Sequence, residues 1–184
     1  MRKDFGVKQW LMPEPVLIIG TFDKDDNPNA MNAAWGGMYD YDKVVIALSK
    51  HKTTENLKIS KAFSLAFATK DTVEAADYVG IVSQNREPDK IKKAGLTFTK
   101  SEKVHAPIFD QFPITMECEV HSFDENEGVL IGKIVNVGVD DKFIIHDKID
   151  VEAIGFIAFD PISGKYRLVK EEVADAFKVG FKRK

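Results

Sequence analysis

Strand-length apolar runs without a regular strand–helix alternation predict a mainly β protein, an antiparallel Greek-key barrel carrying short helices. Three observations lead there. About eight such runs, bounded by Gly, Pro, Asn and Asp, fit into 184 residues. The two longest, 112–123 and 129–139, flank Asp124-Glu125-Asn126-Glu127-Gly128, a good hairpin signal. Only short stretches repeat their apolar residues at helical spacing. The length fits a single domain over 1–184, and no repeat, low-complexity tract or linker interrupts it.

Taken in order, residues 15–22 (PVLIIGTF) read as a buried strand. Asp25-Asp26-Asn27-Pro28 supplies turn chemistry, and 29–39 returns as a second strand. A third strand covers 44–49 and a short helix follows over 53–61. Residues 62–69 (AFSLAFAT) alternate and are rich in Phe, the pattern of a half-buried strand. Asp71 with Glu74 resembles a capping box, and Ala75, Tyr78, Val79 and Val82 recur at helical spacing, which predicts a helix over 72–82. Residues 87–95 suggest one more helical turn, ended by Gly95. After the long strand pair, 153–160 and 165–169 flank Pro161-Ile162-Ser163-Gly164 as a second hairpin. Acidic residues at its start and Gly180 at its end predict a closing amphipathic helix over 171–179.

Composition narrows the function classes. An apolar fraction of 44% and a charged fraction of 30% are those of an ordinary globular protein. The net charge of −3 provides no global field for nucleic acid or an anionic membrane, and no apolar run approaches a membrane span. Cys118 stands alone, so an internal disulfide and a cysteine zinc cluster are excluded, which suits a reducing cytoplasm. No secretory signal is evident at the start. His51, His105, His121 and His146 are scattered without metal-ligand spacing, so no metal site is expected. Phosphate-loop, Rossmann and nucleophile-elbow motifs are lacking.

Two stretches carry chemistry. In Ser49-Lys50-His51-Lys52-Thr53-Thr54-Glu55-Asn56, hydroxyls and cations gather at the predicted start of a helix. Unpaired N–H groups and partial positive charge there make a seat for a phosphate. The same run also reads as a solvated basic turn with a threonine cap. Upstream, Asn29-Ala30-Met31-Asn32-Ala33-Ala34-Trp35-Gly36-Gly37 replaces β-branched residues with small ones, amides and one Trp. Small side chains admit a flat ligand to the backbone, and Asn29 and Asn32 can donate and accept at a heteroaromatic edge. A tightly packed strand with Trp35 in the core explains these residues equally well.

Joined in order, PVLIIGTFDKDDNPNAMNAAWGG, ALSKHKTTENL, AFSLAFATKD, DKIKKAGLTF and FPITMECEV resemble the flavin reductase-like family of FMN-binding split barrels, in particular its flavoredoxin-like branch. The resemblance runs from about Pro13 to Tyr166. It implies a barrel that dimerises and holds FMN near the subunit interface, with FAD the lesser choice. Asn29, Ala30, Met31, Asn32, Ala34 and Trp35 would border the isoalloxazine. Ser49, Lys50, His51, Lys52, Thr53 and Thr54 would surround the phosphate; Lys90 would approach the flavin, and Phe159 is a weaker ring contact. The chain departs from the family at Asn136, where many relatives place a histidine, and in a shortened stretch around 143–155.

The resemblance implies an oxidoreductase that passes electrons from NADH or NADPH through FMN to a second acceptor. No side chain is assigned a catalytic role. The competing expectations are a non-enzymatic FMN carrier between partner proteins, and a flavin- or haem-binding protein without turnover.

Overall fold

The computed structural model describes residues 1–183. Seven strands build one antiparallel sheet: β1 (Leu17–Phe22), β2 (Pro28–Ala33), β3 (Gly36–Asp40), β4 (Lys43–Ala47), β5 (Ala62–Phe67), β6 (Ile114–Asp124) and β7 (Val129–Val139). Their order across the sheet is β2-β1-β5-β6-β7-β4-β3. The first and last members are consecutive in the chain, separated only by Ala34 and Trp35. A flat sheet of seven strands would hold its edges about 29 Å apart at the usual strand spacing. The chain from Ala33 to Gly36 spans at most about 11 Å. The sheet therefore curls until its edges meet, as a half-barrel.

Strand β1 is buried along its whole length, which is why its sequence lacks polar alternation. Leu17 and Ile19 enter the barrel with Val44, Ile46, Phe63, Leu65 and Leu130. Val16 and Ile18 face outward into a second cluster with Ala30, Ala76, Val79 and Phe109. That outer layer is supplied by α2 (Val73–Ile81), α3 (Lys90–Lys93) and a short ladder of Phe98–Lys100 with Pro107–Phe109. Helix α1 (Lys52–Ser60) seats Leu57 in the barrel core. A smaller sheet pairs Glu14–Pro15 with β8 (Ile157–Asp160), and β8 with β9 (Lys165–Leu168).

The barrel and most elements agree with the sequence reading; the strand expected over 153–160 starts only at Ile157, after a short helix at Val151–Ile154, and three further differences stand out. The strand expected over 29–39 is two strands, because the chain turns at Ala34–Trp35 from one sheet edge to the other. Helix α2 starts at Thr72 rather than in an Asp71–Glu74 box; the Thr72 hydroxyl accepts from the Thr69 N–H at 2.9 Å. The closing helix over 171–179 is absent, and a 3-10 turn forms only at Val179–Arg183. Val173 and Phe177 are fully solvated there, so no packed face offsets the cost of nucleating a short helix. Among the described residues no helix is long and apolar enough to cross a membrane.

Candidate functional site

A cleft opens where the chain crosses from β2 to β3. Strand β2 and the Ala34–Trp35 turn form one wall, and the residues leading from β4 into α1 form the next. The C-terminal end of α2, the 82–86 loop and the β8–β9 hairpin complete it. Three neighbouring cavities share His51 as a lining residue. The mouth, about 390 Å³, lies between Asn32, Ala34, Trp35, Phe159 and Tyr166. A deeper chamber of about 130 Å³ lies between Asn29, Met31, Thr53, Gln84 and Lys90. The third, about 580 Å³, opens over Ser49, Lys50, Thr54, Asn85 and Arg86.

The start of α1 is built by polar contacts. His51 is the cap residue, with extended backbone; its N–H donates to the Thr54 hydroxyl at 3.0 Å, and that hydroxyl donates back to the His51 carbonyl at 2.7 Å. Asn29 Nδ2 donates to Thr53 Oγ1 at 2.8 Å and Asn56 Nδ2 to Thr21 Oγ1 at 3.1 Å, fastening the helix to β2 and β1. On the other face of β2, Asn32 Nδ2 donates to the Ala76 carbonyl of α2 at 3.1 Å. The helix approaches so closely there that a Cβ on Gly80 would stand 2.9 Å from Asn32 Cβ.

The deep chamber has an unusual donor set. Asn29 Oδ1, Gln84 Oε1 and His51 Nδ1 are buried without a hydrogen-bond partner. Lys90 is 2% exposed, and no carboxylate pairs with it among the described residues. Burial pushes its ammonium down to about 8. Burial, with the Lys90 charge second, also lowers the His51 pKa and favours the neutral imidazole. Lone amide oxygens need donors while Lys90 needs an acceptor. Neither an apolar molecule nor a simple anion meets both demands; a heteroaromatic edge with alternating N–H and C=O groups does. The residues present fit the edge of a flavin ring.

The sequence-predicted residues are mostly drawn together. Asn29, Met31, His51, Lys52, Thr53 and Lys90 line the chamber, and Asn32, Ala34, Trp35 and Phe159 line the mouth. Ser49, Lys50 and Thr54 line the third cavity. Trp35 stands at the mouth, 41% exposed, instead of in the core. Ala30 points away from the cleft, packed beneath α2 with Ala76 and Val79. Lys52 lies 3.9 Å from Asp23. Asn136 is outside the cleft, where its amide donates to the buried Glu117 carboxylate at 2.5 Å.

Sequence reasoning missed the loop after α2, which contributes Gln84, Asn85 and Arg86, and the pair Asp77–Tyr166. Tyr166 donates its hydroxyl to Asp77 Oδ1 at 2.7 Å, and its ring lies 6.1 Å from that of Phe159. Burial, with Asp77 second, pushes the phenol up to about 12, so it stays protonated. The glycine within the Tyr78–Ile81 stretch was the available signal.

Residues 10–148 match the family described as flavin reductase like domain. Flavoredoxin of Desulfovibrio vulgaris (Miyazaki F) superposes with a TM-score of 0.91 at 32% identity, over 98% of this chain and 100% of that one. The FMN-binding domain of a flavin reductases-like enzyme from Shewanella baltica OS155 shares the fold, with a TM-score of 0.78 at 17% identity over 88% of this chain and 89% of that one. An uncharacterized protein of Pyrococcus abyssi (strain GE5 / Orsay) is 26% identical over 114 residues, 60% of this chain. That match spans 65% of the relative's own length.

Proposed function

The chain belongs to the flavin reductase-like family, and from that premise we propose that it binds FMN in this cleft and passes electrons from NADH or NADPH to a second acceptor. The observation that carries the reading is the buried, unpaired Lys90 facing a chamber with partnerless Asn29 and Gln84 oxygens. Such groups are costly to bury unless a ligand satisfies them.

Bound flavin supplies the two-electron chemistry. The residues position and insulate it. Ser49, Lys50, Thr54 and the first N–H groups of α1 hold the phosphate, combining positive charge with fixed donors. Lys90 would meet an acceptor on the ring edge and stabilise negative charge that reduction places there. Asn29 and Gln84 would offer acceptors to ring N–H. Trp35, Phe159 and Tyr166 screen the ring from water at the mouth.

The partner in this reading is a second copy of the chain, and the setting is a reducing cytoplasm, which keeps the buried Cys118 thiol free. A second reading, a non-enzymatic carrier, is favoured by the 32% identity to a flavoredoxin across nearly the whole chain. Anaerobic mixing of flavin-loaded protein with NADH or NADPH separates them. Rapid bleaching of the visible flavin band supports the reductase; bleaching only by a reduced partner protein supports the carrier. A preparation that is colourless and takes up no FMN at micromolar concentrations sinks both.

A further inference from the structure

The cavity at the cleft mouth differs in charge from its neighbours. The deep chamber carries Lys52 and Lys90, and Lys50 and Arg86 line the cavity over Ser49. No Lys or Arg lines the mouth, and its one acidic residue is Asp77 of α2. Burial favours the neutral imidazole of His51, and Tyr166 keeps its phenolic proton. The carboxylate is therefore the single formal charge on these walls.

Asp77 is held in place without being neutralised. Tyr166 Oη donates to its Oδ1 at 2.7 Å, and a carboxylate has a second oxygen with which to meet a ligand. Arg167, the cation next to Tyr166, is paired with Asp160 instead, at 2.7 Å. Three aromatic rings share the cavity with Asp77: Trp35 from the turn between β2 and β3, Phe159 from β8 and Tyr166 from β9. The faces of such rings attract a cation, and flat rings pack best on a flat one. An anion would meet the carboxylate unopposed. The volume, about 390 Å³, suits one small ligand. On the flavin reading a dianionic phosphate balances Lys50 and Arg86, so those cations do not repel a positive ligand at the mouth.

Resting on that reading, we propose that the mouth selects a flat organic cation of the N-substituted pyridinium class, with Asp77 as its counter-ion. Flavin chemistry gives the preference a direction. A neutral N-substituted dihydropyridine becomes such a cation when its C–H bond breaks and the hydrogen leaves with both electrons to the oxidised flavin. Asp77 stabilises the positive charge as it develops on the ring, which favours transfer toward the flavin.

Calorimetric titration with the cation 1-methylnicotinamide and its neutral isostere 3-methylbenzamide tests the proposal, on flavin-free and on FMN-loaded protein. The cation is expected to bind roughly fivefold to tenfold tighter. Asp77→Asn removes the charge but keeps an oxygen to accept from Tyr166, and should bring the two probes within about twofold. Tyr166→Phe keeps the ring and the charge and should leave the preference in place. Asp77 is only half-buried, and an unchanged melting temperature verifies that its variant folds. Equal affinity for the two probes, or a preference that survives Asp77→Asn, overturns the cation site. A preference lost equally in Tyr166→Phe assigns it to the hydrogen bond and overturns the site as well. Failure to take up FMN overturns the flavin reading alone, because the probes are also compared without flavin.

Discussion

At the scale of single residues, Lys90 sets function against stability. A cation buried without a partner costs the apo protein, and the cost shows in its titration: burial lowers its pKa from 10.5 to about 8. Between those values the unfolded chain holds more protons than the folded one, so this residue makes apo stability rise with pH across that window. FMN affinity has the opposite dependence. It should be greatest below about pH 8, where the ammonium is charged, and fall above, by at most about tenfold per pH unit. Lys90→Met should flatten that fall, weaken FMN binding at neutral pH, and raise the apo melting temperature by roughly 2–4 °C per kcal/mol recovered. Titrations at several pH values and a thermal melt check it; a variant with wild-type affinity and an unmoved melt contradicts the role. Lys50→Ala is expected to cost FMN affinity about 1–3 kcal/mol, the range for a hydrogen bond to a charged group, with less effect on fold stability. Equal dissociation constants for the two proteins refute that.

At the scale of elements, the site depends on how α1 is fastened to the sheet. Asn56 is fully buried and its donor bond to Thr21 is one of two that orient the helix. Asn56→Ala strands the Thr21 hydroxyl and should cost about 1–3 kcal/mol in urea unfolding. FMN retention should fall with it, because the same helix presents Thr54 and the phosphate-seat N–H groups. Retention unchanged at reduced stability separates helix position from binding and refutes the coupling. Inside the barrel, a Cβ on Gly132 would stand 2.3 Å from Phe63 Cζ in the packed core. Gly132→Ala should therefore cost about 1–3 kcal/mol by overpacking, and a midpoint shift toward lower urea measures it. These elements also mark what the sequence made legible. Strand β1 and the helix after Ser49 were readable because apolar runs and capping residues are local signals. The break at Ala34 was not, since there the chain leaves one edge of the sheet for the other, which only the closure of the whole sheet decides. Arg86 escaped for the same reason: nothing local distinguishes it from a solvated loop cation, and only the fold of α2 against β2 carries its loop over the Ser49–Lys50 turn. The failed helix over 171–179 had the right period but lacked a surface to bury against.

For the whole molecule, much apolar surface lies outside the barrel. Met38 and Tyr39 on edge strand β3, Val135 and Val137 on β7, and Ile144 and Ile145 beyond it are all exposed. Trp10, Leu11 and Met12 in the leading segment, with Val173 and Phe177 in the trailing one, add to it. A monomer seldom leaves so much apolar area in water, and an open edge strand invites pairing. The Trp35 turn joins that surface to the cleft mouth, so whatever covers one also covers the other. The proposed second copy does this by symmetry, with each patch meeting its own equivalent. Sedimentation should then give twice the chain mass of 20.6 kDa. Val137→Asp tests the contact sharply: an exposed change costs an isolated chain at most about 0.5 kcal/mol, whereas a charge buried across a dimer interface costs several. The variant should sediment as a monomer with a melting temperature that varies little with concentration, and its FMN affinity should fall because the mouth beside Trp35 is no longer covered. A variant that remains dimeric removes this surface from the interface, and a monomer that binds FMN unchanged shows that each cleft is complete within one chain.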